Sequence, residues 1–239
     1  MLVAAAVCPS PPLLVPEVAA GAAQELAEAR TACSDALAVL AASRPDLLVV
    51  VGAAEKGGGY DEGTPGTFAG FGVDLSVTLG SAAAEQTGEA TGTTLPASLA
   101  VGAWLLERAS WAAAPIAGVA VAERLDPDAC GALGADLGGS ADRVAMLVLG
   151  DGSACRTLKA PGYLDDRAEA FDAAAARALG SADVPALAAI DPELALELKA
   201  AGRAPWQVLA GAARDAGLDG RLLYEDAPYG VGYFVAAWS

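Results

Sequence analysis

The sequence predicts a single α/β domain over residues 1–239, with a mostly parallel or mixed central sheet that is covered by helices on both faces. Two observations predict this fold class. Short apolar runs that are typical of strands alternate with segments of helical periodicity along the whole chain. No change in composition marks a linker, and 239 residues are enough to bury one large core.

The first third of the chain predicts two strands, one long helix and an edge strand. Residues 2–7 are apolar and stop at a proline-rich segment. Apolar side chains at helical spacing predict one helix over residues 17–42. Residues 47–51 are an unbroken Leu/Val run, which is typical of a strand buried on both faces. Residues 52–70, rich in Gly, Thr and acidic side chains, predict a flexible loop, and the weak alternation of residues 71–79 predicts an edge strand.

The remainder of the chain continues the alternation. A helix is expected over residues 96–109, behind a cap at Thr93 and Thr94. Asp126-Pro127 places proline at the favoured first position of a helix that runs to about residue 137. Further strands are predicted at residues 116–121, 144–149, 222–224 and 230–238. Further helices are predicted at residues 165–179, 184–190 and 205–216, and another begins at residue 191.

The charge of the chain excludes several kinds of partner. With 30 acidic and 14 basic residues the formal net charge is −16, and no cluster of Lys and Arg is present. Such a surface repels phosphate groups, so we expect neither nucleic-acid nor anionic-membrane binding. Residues 1–7 lack a basic segment and are too short for a signal peptide or a membrane span, and no other long apolar run is free of charges and breakers. The sequence therefore predicts a cytoplasmic protein.

The sequence contains no histidine. This absence excludes mechanisms that need an imidazole as base, acid or metal ligand. The four cysteines are scattered and form no Cys-x-x-Cys pair, so we expect them to be reduced and buried.

Three predicted strand ends carry unusual polar sequence, and ligands of open α/β sheets bind beyond the carboxyl ends of strands. These ends are Cys8-Pro9-Ser10-Pro11-Pro12, the segment 52–56, and the segment 150–155. Two interpretations stay open at each strand end. The polar residues either contact a bound ligand or have ordinary structural roles, as solvated charges, turn residues or inert thiols. The candidate pocket residues are Cys8, Ser10, Glu55, Lys56, Asp151, Ser153 and Cys155.

These segments resemble the class III extradiol ring-cleavage dioxygenases of the subunit-B-like family. The first segment, continuing to Glu17, resembles the family opening C-P-H-P-P-L-L-V-P-E. The segments 52–56 and 150–155 are similar to its I-S-P-H and G-D-x-S-H segments. Residues 191–206 resemble a later helix pair, and residues 229–233 resemble the closing strand. The resemblance covers nearly the whole chain and implies the family's fold.

The departures from the family pattern fall on its functional positions. The resemblance implies iron bound by two histidines and a glutamate, with a third histidine as acid/base. Here Ser10 and Ala54 occupy the histidine ligand positions, Ala154 the acid/base position, and Ala200, within about a residue, the carboxylate position. We therefore expect no metal, no iron cofactor and no extradiol activity.

Three hypotheses follow. The first is a family-like protein without iron chemistry that binds a small molecule or a protein partner. The second is an enzyme of different, iron-independent chemistry in the same pocket, using Glu55, Lys56, Asp151 or Ser153. The third is a subunit whose partner supplies the missing groups, since the resemblance implies homo-oligomers or hetero-assemblies.

Overall fold

The elements of the fold are given by a computed structural model that describes residues 1–80 and 94–239. Its strands are β1 (Leu2–Cys8), β2 (Leu47–Ala54), β3 (Gly58–Asp61), β4 (Pro65–Thr67), β5 (Ser76–Thr78), β6 (Ile116–Ala122), β7 (Val144–Leu149), β8 (Gly220–Asp226) and β9 (Tyr233–Trp238). Its α-helices are α1 (Pro16–Ala19), α2 (Ala27–Ala42), α3 (Ala97–Arg108), α4 (Pro127–Gly138), α5 (Ala168–Gly180), α6 (Val184–Ala188), α7 (Pro192–Glu197) and α8 (Arg203–Ala213).

The central sheet is mixed, with strand order β3-β6-β2-β7-β1-β9-β8. The four inner strands β6, β2, β7 and β1 are parallel, whereas β3, β9 and β8 add antiparallel pairings at the two sides. The α/β fold class and the large mixed sheet are as predicted. The apolar run of β7 is buried at every position, which is what an inner strand covered on both faces requires.

Two hydrophobic clusters fill the two faces of the sheet, because successive strand residues point to opposite sides. One face packs alternate strand residues such as Ala4, Val50 and Leu147 against α2 and α3. The other face packs Val7, Val51 and Val148 against α5 and α8. Helices on both faces were predicted, and this arrangement leaves the strand ends as the place where polar groups can gather.

Three sequence predictions were wrong in detail. The helix expected over residues 17–42 is interrupted by the 3₁₀ segment Ala20–Leu26, which begins at a positive φ of 48° at Ala20. The loop expected over residues 52–70 contains β3, an exposed strand paired with β6. The edge strand expected over residues 71–79 is only the three-residue β5, which pairs with β4 in a separate small sheet.

Other boundaries differ by a few residues. Helix α3 begins after Pro96, which provides no side-chain cap; Thr94 is exposed, and Thr93 lies outside the described residues. Helix α4 has the expected start, with Asp126 accepting hydrogen bonds from the amides of Asp128 and Ala129. The late aromatic residues are built into β9, where Tyr233, Phe234 and Trp238 are buried. No helix within residues 1–80 and 94–239 has the length and apolar character needed to cross a bilayer.

Helix α8 is held against α4 by backbone contact through glycines. A Cβ atom at Gly134 would lie 1.9 Å from the carbonyl oxygen of Val208, and one at Gly211 would lie 2.2 Å from the carbonyl oxygen of Gly131. Real atoms cannot approach so closely, so both helices need glycine at the crossing. Because α8 begins beside the carboxyl edge of the sheet, this packing sets the position of the groups that α8 carries there.

Replacing Gly134 by alanine tests this packing. We expect Gly134→Ala to lower the free energy of unfolding by about 2 kcal/mol, because overpacking outweighs the gain in helix propensity. Gly131→Ala is the matched control on the same helix, since the nearest atom to its added Cβ is 3.8 Å away. That variant should be neutral or more stable by up to about 1 kcal/mol. Denaturant unfolding measures both, and equal effects would contradict the account.

Candidate functional site

The three polar strand ends meet at one edge of the sheet. In the parallel pairing, Leu149 of β7 lies opposite Cys8 of β1 on one side and Gly52 of β2 on the other. Ser10, Ala54 and Asp151 each follow this row by two residues. The register therefore brings these three positions to the same edge, as the sequence predicted.

Asp151 supplies a carboxyl group at this edge, and its side chain is partly buried. Its Oδ1 accepts a hydrogen bond of 2.8 Å from the amide of Ser10, and its main-chain oxygen accepts one of 2.7 Å from the amide of Gly202. Burial raises the pKa of Asp151 to about 7, and the hydrogen bond from Ser10 opposes that shift. Within the described part of the chain, no hydrogen bond reaches the second oxygen, Oδ2. Asp151 is thus a fixed carboxyl group with a pKa near neutrality.

Ser153, the second polar residue of this segment, is engaged inside the protein. Its amide and its hydroxyl donate hydrogen bonds of 2.7 and 2.8 Å to the carboxylate of Asp172, which is fully buried. Arg156 pairs with the same carboxylate at 3.1 Å. Burial raises the pKa of Asp172, and these hydrogen bonds oppose the shift. The turn interpretation therefore holds for Ser153, which anchors the segment instead of facing a ligand.

Sequence reasoning did not single out Asp172, although a signal existed. It is an aspartate within the Ala-rich helix predicted over residues 165–179, at a position that the structure buries. Gly152 and Gly232 leave it room, because a Cβ atom at either glycine would lie within 2.7 Å of a carboxylate oxygen. Asp172 is a positioning residue for the segment that carries Asp151.

A second contact at this edge joins the segment after β7, which carries Ala154 and Cys155, to the segment after α7, which carries Ala200. The amide of Ala154 donates to the carbonyl oxygen of Leu198 at 2.9 Å, and the thiol of Cys155 donates to the same oxygen at 3.5 Å. Ala154 and Ala200 are both 8% exposed. The segment after β7 and the segment after α7 are thereby joined.

The cysteines have separate surroundings. All four are buried and free. Cys8 lies against Cys33 of α2, and the hydrogen bond between the two thiols, together with burial, raises the pKa of Cys33. Burial also raises the pKa of Cys155. The thiol of Cys155 is therefore disfavoured as a thiolate, which supports the interpretation of that residue as inert, and Cys8 is fully buried.

Glu55 and Lys56 are both exposed, in the turn that joins β2 to β3. Neither lines the cavity of about 270 Å³ that opens beside Ala200. The structure therefore favours the interpretation of a solvated pair. The residue that contacts Ala54 at this edge is Glu123, which follows β6. Its amide donates a hydrogen bond of 3.2 Å to the carbonyl oxygen of Ala54.

A cavity of about 270 Å³ opens beside this edge. Three charged side chains line it, those of Glu123, Lys199 and Arg203, and none of them was predicted as a site residue. Its other lining residues are small or apolar: Pro192, Ala195, Leu196, Ala200 and Ala201. Lys199 and Arg203 are four residues apart in the sequence, but that spacing does not reveal the cavity, because Glu123 reaches it from a segment about 80 residues earlier.

A larger apolar groove lies elsewhere. It measures about 620 Å³, runs between α5 and the α6–α7 segment, and is lined by residues such as Phe171, Ile190 and Leu194. None of the candidate pocket residues lines this groove or the smaller cavity, but Ala200, at the carboxylate position of the resemblance, lines the smaller cavity. Three charged residues also line the groove, Asp166, Arg167 and Asp191. Arg167 pairs with Asp165 and Glu197, and Asp191 caps α7, so these two are engaged within the protein.

The residues at the carboxyl edge do not fit the iron that the family resemblance implies. Alanine at three of the positions offers no donor atom, and the hydroxyl of Ser10 is a poor ligand for Fe(II). Asp151 already uses one oxygen for the Ser10 amide. Within residues 1–80 and 94–239, no three side chains among Cys, Asp and Glu come together as a metal-binding group.

Comparisons with known proteins support the fold but name no function. The sequence matches no protein-family model and no curated protein. The structure is similar to the crystal structure of the uncharacterized protein JW3007 from Escherichia coli K12, with a TM-score of 0.59. The two are 15% identical, and the match covers 99% of each chain. This likeness shows that the whole chain has the architecture of that protein.

The pKa of Asp151 predicts a dependence of stability on pH. A carboxyl with a higher pKa in the folded chain stabilises the fold at low pH, and that stability is lost as pH rises from about 4 towards 7. Asp151→Asn retains an acceptor for the Ser10 amide and cannot ionise. The free energy of unfolding of Asp151→Asn, minus that of the unmodified protein, should therefore increase by about 2 kcal/mol between pH 4.5 and pH 7.5.

Urea unfolding at several pH values measures this difference. Asp166→Asn, at an exposed carboxylate, controls for the loss of one negative charge. A constant difference between Asp151→Asn and the unmodified protein across this pH range would show that Asp151 ionises normally.

Proposed function

We propose that this protein is an extradiol-dioxygenase-like α/β protein without iron chemistry, and that it binds a small molecule at the carboxyl edge of its sheet. The observation that carries the proposal is the cavity of about 270 Å³ beside Ala200, with three charged side chains in an otherwise small and apolar lining. A concave site with a few convergent polar groups is typical of small-molecule binding. Its volume suits a small metabolite better than a peptide.

The family-like positions are retained at this edge, but their metal-binding groups are not. The sequence motifs occur in family order, and the register places Ser10, Ala54 and Asp151 at one edge with the segment of Ala154 and Ala200 beside them. The donor atoms that ring cleavage would need are missing from those positions. A family-like site without its ligands is best explained by retained binding and lost oxygen chemistry.

A second candidate is an enzyme of iron-independent chemistry that transfers protons. Asp151 favours it, because a fixed carboxyl with a pKa of about 7 can both donate and accept a proton near neutral pH. Its partners would have to come from the substrate or the cavity. Ser153 is committed to Asp172, and Glu55 and Lys56 lie in the exposed turn after β2.

The remaining expectations accompany this proposal. We place the protein in the cytoplasm, as its sequence predicts, with a homo-oligomer or a hetero-assembly as the form that the family resemblance implies. A partner subunit that supplies the missing chemical groups is the third hypothesis of function, and it would place a polar side chain at the same edge.

Restoring the ligands tests whether the family positions converge. We expect the variant Ser10→His/Ala54→His/Ala200→Glu to bind Co²⁺ with at least about tenfold higher affinity than the unmodified protein, since two imidazoles and a carboxylate form a facial site. Isothermal titration, with the visible spectrum of Co²⁺ as a second readout, measures this gain.

The single variant Ser10→His is the control, because it offers one imidazole only. Circular dichroism establishes that both variants are folded. A folded triple variant that binds Co²⁺ no better than Ser10→His would show that the three positions do not share one site.

A further inference from the structure

We infer that the cavity at the carboxyl edge recognises a small aliphatic carboxylate, through Lys199 and Arg203. This inference rests on the proposed small-molecule function and specifies its ligand class. It derives from the charges that line the cavity, from how each one is held, and from the residues that form the remaining wall.

Arg203 brings a positive charge that the protein does not neutralise. It is 3% exposed and lines the cavity. Its guanidinium donates to the carbonyl oxygens of Glu123 and Leu125 and to the side-chain oxygen of Gln207. No carboxylate of the described residues lies within ion-pair distance of it. A buried guanidinium without a counter-charge is unusual, and an anion in the adjoining cavity would supply that charge.

The start of helix α8 reinforces this charge. Arg203 is the first residue of the helix, and the first turn contains no acidic residue and no side-chain cap. The amino-terminal end of a helix carries partial positive charge, which acidic side chains usually offset. Here the helix dipole and the guanidinium act in the same direction.

Lys199 supplies a second, adaptable cation. It lines the same cavity and is exposed, and among the described residues its ammonium group makes no ion pair. Its backbone is held at a positive φ of 55°, a conformation that lysine rarely adopts and that the turn between α7 and α8 imposes. The turn therefore fixes the point from which the lysine side chain starts.

The wall and the third charge limit the ligand. Pro192, Ala195 and Leu196 give an apolar surface without aromatic rings, which suits a short aliphatic chain. Glu123 also lines the cavity, but it is exposed and pairs with neither cation among the described residues. Two cations and one carboxylate leave a local positive charge on a protein whose formal net charge is −16.

Three four-carbon probes test the inference: butyrate, its neutral isostere butyramide, and the cation n-butylammonium, supplied as n-butylamine. Each is titrated into ¹⁵N-labelled protein, and the amide shifts of residues 195–203 report binding at the cavity. We expect butyrate to bind at least about fivefold more tightly than butyramide, the factor that corresponds to about 1 kcal/mol for a partly exposed ion pair. Butylamine should bind more weakly than either.

Charge variants identify the groups responsible. Lys199→Gln should weaken butyrate binding about fivefold, whereas Glu123→Gln should strengthen it, because the two side chains have opposite charge. Both residues are exposed, so the fold should tolerate both substitutions. Lys56→Gln, at an exposed lysine outside the cavity lining, is the matched control and should leave binding unchanged.

The outcomes separate this inference from the function on which it rests. Equal binding of butyrate and butyramide, or equal effects of Lys199→Gln and Lys56→Gln, overturns carboxylate recognition and leaves a small-molecule site in place. Preferential binding of butylamine also overturns it, because the cavity would then select a cation. Failure of all three probes to shift the amides of residues 195–203 counts against both the inference and the proposed function.

Discussion

The parallel pairing of β7 with its two neighbours is the constraint on which the site depends. It places Cys8, Leu149 and Gly52 in one row, so that the residues following them emerge at one edge. The pairing is specified by strands that are apolar on both faces, because a polar substitution on either side would be buried. The same register that builds the core therefore gathers Ser10, Ala54 and Asp151, without any direct bond between their side chains.

Two further arrangements turn this edge into a cavity. Glycines at the crossing of α4 and α8 bring α8 close, and Gly150 and Gly202 touch at the strand end, where a Cβ atom on Gly150 would lie 2.5 Å from the Cα atom of Gly202. The buried carboxylate of Asp172 holds the segment after β7 through Ser153 and Arg156. Backbone proximity and one buried polar network thus position the segments around this edge. Arg203 enters as the first residue of α8, and Lys199 enters with the turn between α7 and α8.

The sequence predicted the inner strands well, because unbroken apolar runs such as that of β7 have few other solutions in a chain of this size. It missed β3, since Gly58 and Gly59 suggest a loop and only pairing with β6 makes them a strand. It predicted the meeting of the three strand ends, but it could not choose between a turn and a ligand contact for Ser153. Arg203 escaped notice because its role depends on carbonyl oxygens of Glu123 and Leu125, about 80 residues earlier, whose approach is tertiary.

We propose that this edge keeps a binding site and lacks an iron site. The most direct measurement is the iron content of the full-length protein purified from iron-supplemented cells, determined by inductively coupled plasma mass spectrometry alongside an extradiol dioxygenase. The account predicts far less than one iron per chain, and the same result after anaerobic incubation with Fe(II). Stoichiometric iron that is lost in a variant of Ser10 or Asp151 would contradict it.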